Sequence, residues 1–368
     1  MTGRAHTVDV IAGDGIGPEV MAAAVSCVDA LAPSLGFTMS WRPREWGSDH
    51  FRKHGRMMPV DGLDQMATGD AILLGAVGDV DIPDDVTLWG LLIPIRRDFE
   101  QYVNLRPVRL LPGVVSPLAG VSHLDIMVVR ENVEGEYSEV GGRLYRAQPE
   151  EMAVQESIFT RTGVERVATY AAELAQRRQG RLISATKSNG IIHTMPFWDE
   201  VVQSCVDATP GVVVESVLID ALAARMVLKP ESIDVVVASN LFGDILSDLA
   251  AAAAGSIGVA PSANLNPPRR HPSMFEPVHG SAPDIAGQGI ANPIGQIWSA
   301  AMMLEHLGED IAARVLVESI EATLAEGIRT PDLGGTASTA EVAGAVVRHG
   351  VRILDAGLPS GWVLAEAP

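Results

Sequence analysis

Ser239-Asn240-Leu241-Phe242-Gly243-Asp244-Ile245-Leu246-Ser247-Asp248-Leu249 follows directly on the β-branched run Ile233-Asp-Val-Val-Val-Ala238. The two segments together read as a core strand turning into a helix, with Ser239-Asn240 supplying the turn and a cap. Asp244 and Asp248 fall four apart, so they stack on one helix face about a turn from each other and their oxygens can converge on one point. From Leu241 to Ala254 the only other polar side chain is Ser247. A helix so apolar all round is expected to be buried, and two like charges there repel and lose hydration unless something cationic offsets them. A hard divalent ion, Mg2+ or Mn2+, suits two carboxylates and leaves room for substrate oxygens. On an ordinary helix the same spacing gives only a solvated acidic stripe.

With 368 residues and 47% hydrophobic content, the chain can bury one large core or two medium ones. Its 46 acidic residues against 27 Lys and Arg give a net charge of −19, which disfavours nucleic acid and anionic membranes as partners. Cys27 and Cys205 form neither a disulfide framework nor a metal-ligand spacing, and the first residues lack an apolar leader. A reducing cytoplasm is the expected location.

Toward the N-terminus, Thr7-Val-Asp-Val-Ile-Ala12 reads as a strand leading into Gly13-Asp-Gly-Ile-Gly17, and Pro18-Glu19 opens a helix. The alternating glycines and the proline do not fit the dinucleotide fingerprint, so a tight strand-to-helix turn is expected there. Ala71-Ile-Leu-Leu-Gly-Ala-Val77 is a second strand, and strands alternate with helical segments as in an α/β domain. A local excess of guanidinium follows. Arg97 and Arg109 read as surface charges, Arg96 precedes them, Arg106 lies in Asn104-Leu-Arg-Pro107 at an expected turn, and Arg130 ends the strand Leu124-Asp-Ile-Met-Val-Val129 beside Glu131. Planar guanidinium forks beside a metal site imply a small di- or tricarboxylate.

Farther on, Gly141-Gly142 between short alternating runs signals a hairpin that would suit a dimerisation arm. Tyr137, just before it, reads by itself as a core or rim residue. The strand Arg181-Leu-Ile-Ser-Ala185 ends at Thr186-Lys187, where the lysine either snorkels or is desolvated enough to act as a base. Val212 to Leu218 is another strand and delivers Asp220 into an apolar helix, a third acidic candidate for a metal. Ser262 to Pro277, rich in Pro, Asn and Arg, reads as a loop. His279 to Pro293 combines small residues with His279, Asp284 and Asn292, which lets backbone approach a flat ligand closely.

Five motifs in order, Gly13-Asp-Gly-Ile-Gly-Pro-Glu19, Asn104-Leu-Arg-Pro107, Val129-Arg-Glu-Asn132 with Tyr137, Ser239 to Asp248 and Glu276-Pro-Val-His-Gly-Ser-Ala-Pro-Asp284, resemble the isocitrate/isopropylmalate dehydrogenase family over nearly the whole chain. Trp46-Gly-Ser48, Met57-Met-Pro59, Leu88-Trp-Gly-Leu-Leu92 and Gln101 to Gly113 most resemble its tartrate and D-malate dehydrogenase (decarboxylating) branch.

The resemblance implies an α/β, isopropylmalate dehydrogenase-like fold of two domains around a cleft, not a Rossmann fold, with a dimerisation arm. Residues 1–98 plus 255–368 would form the cofactor domain and 99–254 the second. It implies a homodimer with shared active sites that oxidatively decarboxylates a small 2-hydroxy dicarboxylate with NAD(P) and Mg2+ or Mn2+, often with a monovalent cation such as K+. Arg96, Arg106 and Arg130 would clamp carboxylates, with Trp89 and Leu92 before the first of them contacting C3 of the substrate. Asp244 and Asp248 would bind metal from one subunit, and Lys187 and Asp220 would come from the other, with Lys187 as base and Tyr137 as acid. His279, Gly280, Ser281, Ala282, Asp284 and Asn292 would meet the cofactor, and Asp284 points to NAD rather than NADP. (2R)-Malate is the expected substrate, with tartrate second. The alternatives are 3-isopropylmalate dehydrogenase and a catalytically silent subunit of the family.

Overall fold

The computed structural model describes residues 4–358 and Trp362; residues 1–3, which open the N-terminal stretch read above, and residues 359–361 and 363–368 lie outside the described residues. The chain divides into two compact units. Unit 1 comprises Met1–Phe99, Leu110–Val115 and Ala254–Pro368, and unit 2 comprises Glu100–Arg109 and Ser116–Ala253.

In unit 1 the chain runs β1 (Arg4–Gly13), α1 (Gly17–Leu31), β2 (Phe37–Pro43), α2 (Ser48–His54), α3 (Gly62–Met66), β3 (Ala71–Ala76), α4 (Asp84–Thr87) and α5 (Ile93–Asp98). In unit 2 it continues through β4 (Val103–Arg109), β5 (Asp125–Glu131), β6 (Gly141–Leu144), β7 (Met152–Gln155), α6 (Arg161–Arg177), β8 (Arg181–Thr186), α7 (Thr194–Asp207), β9 (Val213–Leu218), α8 (Ile219–Leu228), β10 (Val235–Ala238) and α9 (Asn240–Ala253). It re-enters unit 1 with β11 (Pro261–Leu265), β12 (Ser273–Pro277), α10 (Ile294–His306), α11 (Asp310–Ala325) and α12 (Thr339–Asp355).

The strands of unit 1 lie in the order β2-β1-β3-β12-β11. All pairs are parallel except β11 with β12. Every residue of β3 is buried, as a strand covered on both faces requires. Gly17–Leu35 is long and apolar enough by composition to cross a membrane. Val20, Ala24, Cys27 and Val28 on that helix are nevertheless buried in the unit, so it is a core helix here.

Unit 2 has the order β4-β5-β10-β8-β9, with β5, β10, β8 and β9 mutually parallel and β4 antiparallel to β5. The apolar run Val235–Ala238 is fully buried at its centre. Thr160 starts α6 by accepting the Gly163 amide on its hydroxyl at 3.0 Å.

Three sequence expectations are corrected. Ser262 to Pro277 is not one loop, because β11 and β12 pair antiparallel within it from Pro261↔Pro277 to Asn264↔Met274. The turn residues that suggested a loop make the connection between the two strands. Asn104–Pro107 is part of β4, not a turn, and Arg106 stands opposite Val128. In the hairpin, Gly141-Gly142 lies in strand β6, and the reversal falls after it, where Tyr145 and Ala147 take φ of 54° and 62°. Gly141 is there for close approach: a Cβ would come within 2.2 Å of the Val154 carbonyl oxygen on the facing strand.

Candidate active site

Because β5, β10, β8 and β9 run parallel, their carboxyl ends share one edge, which is where open α/β sheets bind ligands. The sequence places Arg130 at the end of β5, Lys187 just after β8, Asp220 just after β9 and Asp244 one turn into the helix that follows β10. Neighbouring strands then bring these groups together in two pairs.

The first pair grows from α9. Asp244 and Asp248 lie on one face of this helix, as their spacing requires, with side chains 33% and 53% exposed. The expectation of a helix buried all round is corrected here, since Ile245 between them is 53% exposed. The opposite face, with Phe242, Leu246 and Ala250, is buried. The cationic offset within the chain is a pair of arginines. Arg106 places Nη1 at 3.1 Å from Asp248 and 3.3 Å from Asp244, and also donates to Ser247 Oγ at 2.7 Å. Arg130, almost fully buried, donates Nη1 to Asp244 and lays Nε and Nη2 on Asn240 Oδ1 at 3.1 and 2.7 Å. Gly243 makes this contact possible, because a Cβ there would meet Cβ and Cγ of Arg130 at 2.6 Å.

Tyr137 joins the group by donating its hydroxyl to Asp244 Oδ2 at 3.0 Å, and the Arg130 guanidinium lies 5.6 Å from its ring centre. Burial first, and then the Asp244 carboxylate, raise the phenol's pKa and keep it protonated at neutral pH. Burial also raises Asp248, with the Arg106 charge working against it. Glu131, wholly buried and accepting the Val133 and Glu134 amides, is pushed up to about 7 by its burial.

The second pair is Lys187 with Asp220, Nζ to Oδ1 at 2.5 Å. The bond from Lys187, and then the amides of the first turn of α8, hold the Asp220 carboxyl below the ordinary range. Among the described residues no three acidic, His or Cys side chains gather as a metal-holding group within one chain. Asp244 and Asp248 themselves are hard, acceptor-only oxygens on an open face, a donor set that fits Mg2+ or Mn2+.

In unit 1 the edge is built from β1, β3 and β12. Arg96 on α5 is buried and donates to Glu276 Oε1 at 2.8 Å, an oxygen that also accepts from Asn264. Among the described residues its Nε has no partner. Leu88–Leu92 just before it is a π turn, with the Ile93 amide bonded five residues back to the Leu88 carbonyl. This turn carries Trp89 and Leu92. Leu92 packs on the core, and Arg97, read above as a surface charge, is half-buried with its guanidinium 4.9 Å from the Trp89 ring centre.

His279–Asp284 leaves the carboxyl end of β12 and docks on the Gly13–Gly17 turn, where Ile16 N donates to the Ser281 carbonyl at 2.8 Å. Ala282 holds φ of 40°, and no atom stands within 4 Å of a Cβ placed on Gly280. His279 Nδ1 lies 3.0 Å from the Gly280 carbonyl, which fixes the proton on that nitrogen. Its Nε2 is then a buried acceptor without a partner among the described residues, and burial lowers its pKa so that the ring is neutral. Asn292 bonds Asp332 at 3.0 Å, and Asp284 is exposed. An unpaired acceptor beside an open glycine fits a ligand that brings hydrogen-bond donors.

The parts that Asn240, Ser247, Glu276 and Asp332 play in the site were not assigned from the sequence. The first three lie inside quoted motifs and were therefore findable. Asp332 carries no local signal.

The fold and site together define an α/β protein with a carboxylate–guanidinium centre at the carboxyl ends of its strands. The isocitrate/isopropylmalate dehydrogenase family model matches residues 7–346, and the chain belongs to that family. A probable tartrate dehydrogenase/decarboxylase of Agrobacterium vitis is 52% identical over 347 residues, 93% of this chain and 97% of its own. The D-malate dehydrogenase (decarboxylating) of Escherichia coli is 52% identical over 348 residues, 92% of this chain and 96% of its own. Among solved structures, an isocitrate dehydrogenase from Methylococcus capsulatus superposes with a TM-score of 0.85 at 32% identity, covering 94% of this chain and 99% of its own. The chain is a decarboxylating dehydrogenase.

Proposed function

We propose that the protein oxidises (2R)-malate with NAD to pyruvate and CO2, and acts more slowly on tartrate. One observation carries this reading: Arg106 and Arg130 already balance Asp244 and Asp248. A divalent cation and a dicarboxylate bring equal and opposite charge, so the pair can enter together without leaving charge unpaired. The two relatives at 52% identity, named for tartrate and D-malate, support the same substrate class.

Asp244 and Asp248, with Asp220 of the partner subunit, would hold the cation, which when bound would supply an electrophile for the substrate's C2 oxygen. Arg96, Arg106 and Arg130 orient the carboxylates. Lys187, contributed with Asp220, would take the hydroxyl proton, and bound NAD would supply the acceptor for the C2 hydride. The product is a β-keto acid, which loses CO2. The raised pKa of Tyr137 keeps a proton on its oxygen for the carbon that CO2 leaves. NAD is favoured over NADP because the exposed Asp284 carboxylate would repel a 2′-phosphate.

Trp89 argues against a branched C3 substituent. Stacked with Arg97, its ring is held in place on the π turn, and filling the C3 pocket would cost isopropylmalate roughly 10- to 200-fold. Purified protein with Mn2+ and NAD is expected to show its highest kcat/KM on (2R)-malate, and Trp89→Ala to raise relative activity on 3-isopropylmalate. A wild-type preference for 3-isopropylmalate would overturn the substrate assignment. Silence across 2-hydroxy diacids, with metal still bound, would favour a binding subunit.

A further inference from the structure

We infer that Glu136 is a positioning residue whose carboxylate fastens the Tyr137 loop to the first turn of α9 and so sets the reach of the Tyr137 hydroxyl to Asp244. Tyr137 lies in irregular backbone between β5 and β6, and a loop side chain holds a catalytic distance only if its backbone is tied down. Glu136 supplies the tie. One of its oxygens accepts the Ser239 hydroxyl at 2.7 Å and the other accepts the Leu241 amide at 3.0 Å, so the carboxylate spans the start of the helix. These are charge-assisted bonds to a helix amino end, the stronger kind.

Asn240, between those two residues, returns the contact. Its Nδ2 donates to the Glu134 carbonyl at 3.1 Å, while its Oδ1 receives Arg130. Gly135, with φ of 91°, is held from behind by mutual backbone bonds with Ile158 at 2.8 and 3.1 Å. Residues 134–137 are thus fixed to 239–241 at one end of α9, and the Tyr137 hydroxyl meets Asp244 one turn farther along. Removing the carboxylate takes away both of these bonds to the helix start, while the Asn240 bond and the tyrosine's own contacts stay in place.

This inference rests on Tyr137 as proton donor in the proposed reaction, and its test separates the two. Glu136→Ala, Glu136→Gln and Ser239→Ala would be compared with wild type and Tyr137→Phe, using (2R)-malate and its 2-deuterated form with NAD and Mn2+. Glu136→Ala is expected to lower kcat about 10- to 100-fold, the scale of a misplacement of about 1 Å, with KM changed less than about threefold. The deuterium effect on kcat should fall toward one, because proton delivery then limits rather than hydride transfer.

Glutamine can still accept from Leu241 and donate to the Ser239 hydroxyl, so Glu136→Gln should recover most of the rate. Ser239→Ala removes one of the two bonds and should show the same signature more weakly, which covers an alanine variant that fails to fold. Amide hydrogen exchange of residues 133–138 should accelerate in Glu136→Ala whether or not malate is the substrate. Unchanged exchange overturns the inference, as does a kcat within about twofold of wild type or a glutamine variant as slow as alanine. Wild-type inactivity on malate together with faster loop exchange would instead sink the functional reading and leave the fastening intact.

Discussion

Asp244 and Asp248 show what a single residue pair in the sequence can and cannot disclose. Their spacing was legible as one helix face and as a place where positive charge must gather. Which cations answer them was not, because Arg106 and Arg130 come from strands more than a hundred positions earlier in the chain. Gly243 is the sharper case. Intrinsic helix propensity favours alanine there by about 1 kcal/mol. The structure reverses the sign, because the new Cβ would stand 2.6 Å from Arg130 Cβ and 3.2 Å from its Cα, atoms fixed by strand β5. Gly243→Ala is therefore expected to lower kcat/KM by at least about tenfold and to depress the thermal midpoint. Steady-state kinetics with calorimetry checks this, and a stabilised, fully active variant would show that the close approach is not needed.

At the scale of elements, the apolar strands were legible because buried parallel strands are continuous apolar runs, as Ala71–Ala76 and Val235–Ala238 are. Misreadings came where composition and pairing disagree. Proline and asparagine suggested a loop over β11 and β12 and a turn in β4, yet neighbouring strands recruited both segments. The π turn at Leu88–Leu92 left no periodic signal at all, because it inserts one residue into an otherwise helical run from Asp84 to Asp98.

Helix α10 carries its own pH response. Burial, reinforced by the Arg269 charge, pushes His306 down to about 4. In the unfolded chain a histidine titrates near 6.5, so between about pH 6.5 and 4 the unfolded state binds a proton that the folded state refuses. Stability contributed by the neutral ring is complete above that window and falls as pH drops through it, by about 3 kcal/mol in total. Urea unfolding at pH 7 and pH 4.5 should show a smaller loss for His306→Gln than for wild type. Equal losses would mean that His306 titrates normally in the fold.

For the molecule as a whole, the apolar side chains that unit 2 exposes include Ile245 on α9 and Leu144, Tyr145, Met152 and Val154 around the β6–β7 hairpin. We propose that a second copy of the chain covers these side chains. That copy would supply the Lys187–Asp220 pair to the Asp244–Asp248 pair; among the described residues one chain gathers no three-acid group. Asp220→Asn and Asp248→Asn should each weaken Mn2+ binding strongly as pure proteins. Mixed in equal amounts with full exchange, they should regain about a quarter of wild-type activity, because half the dimers then hold one intact site. No recovery on mixing would place each site within a single subunit.

The central claim is that oxidation and decarboxylation are coupled on one substrate. It is tested most directly by following NADH and CO2 together as purified protein turns over (2R)-malate with NAD and Mn2+. The expected result is one CO2 released per NADH formed, with pyruvate in equal amount. NADH without CO2, or CO2 without NADH, would contradict it.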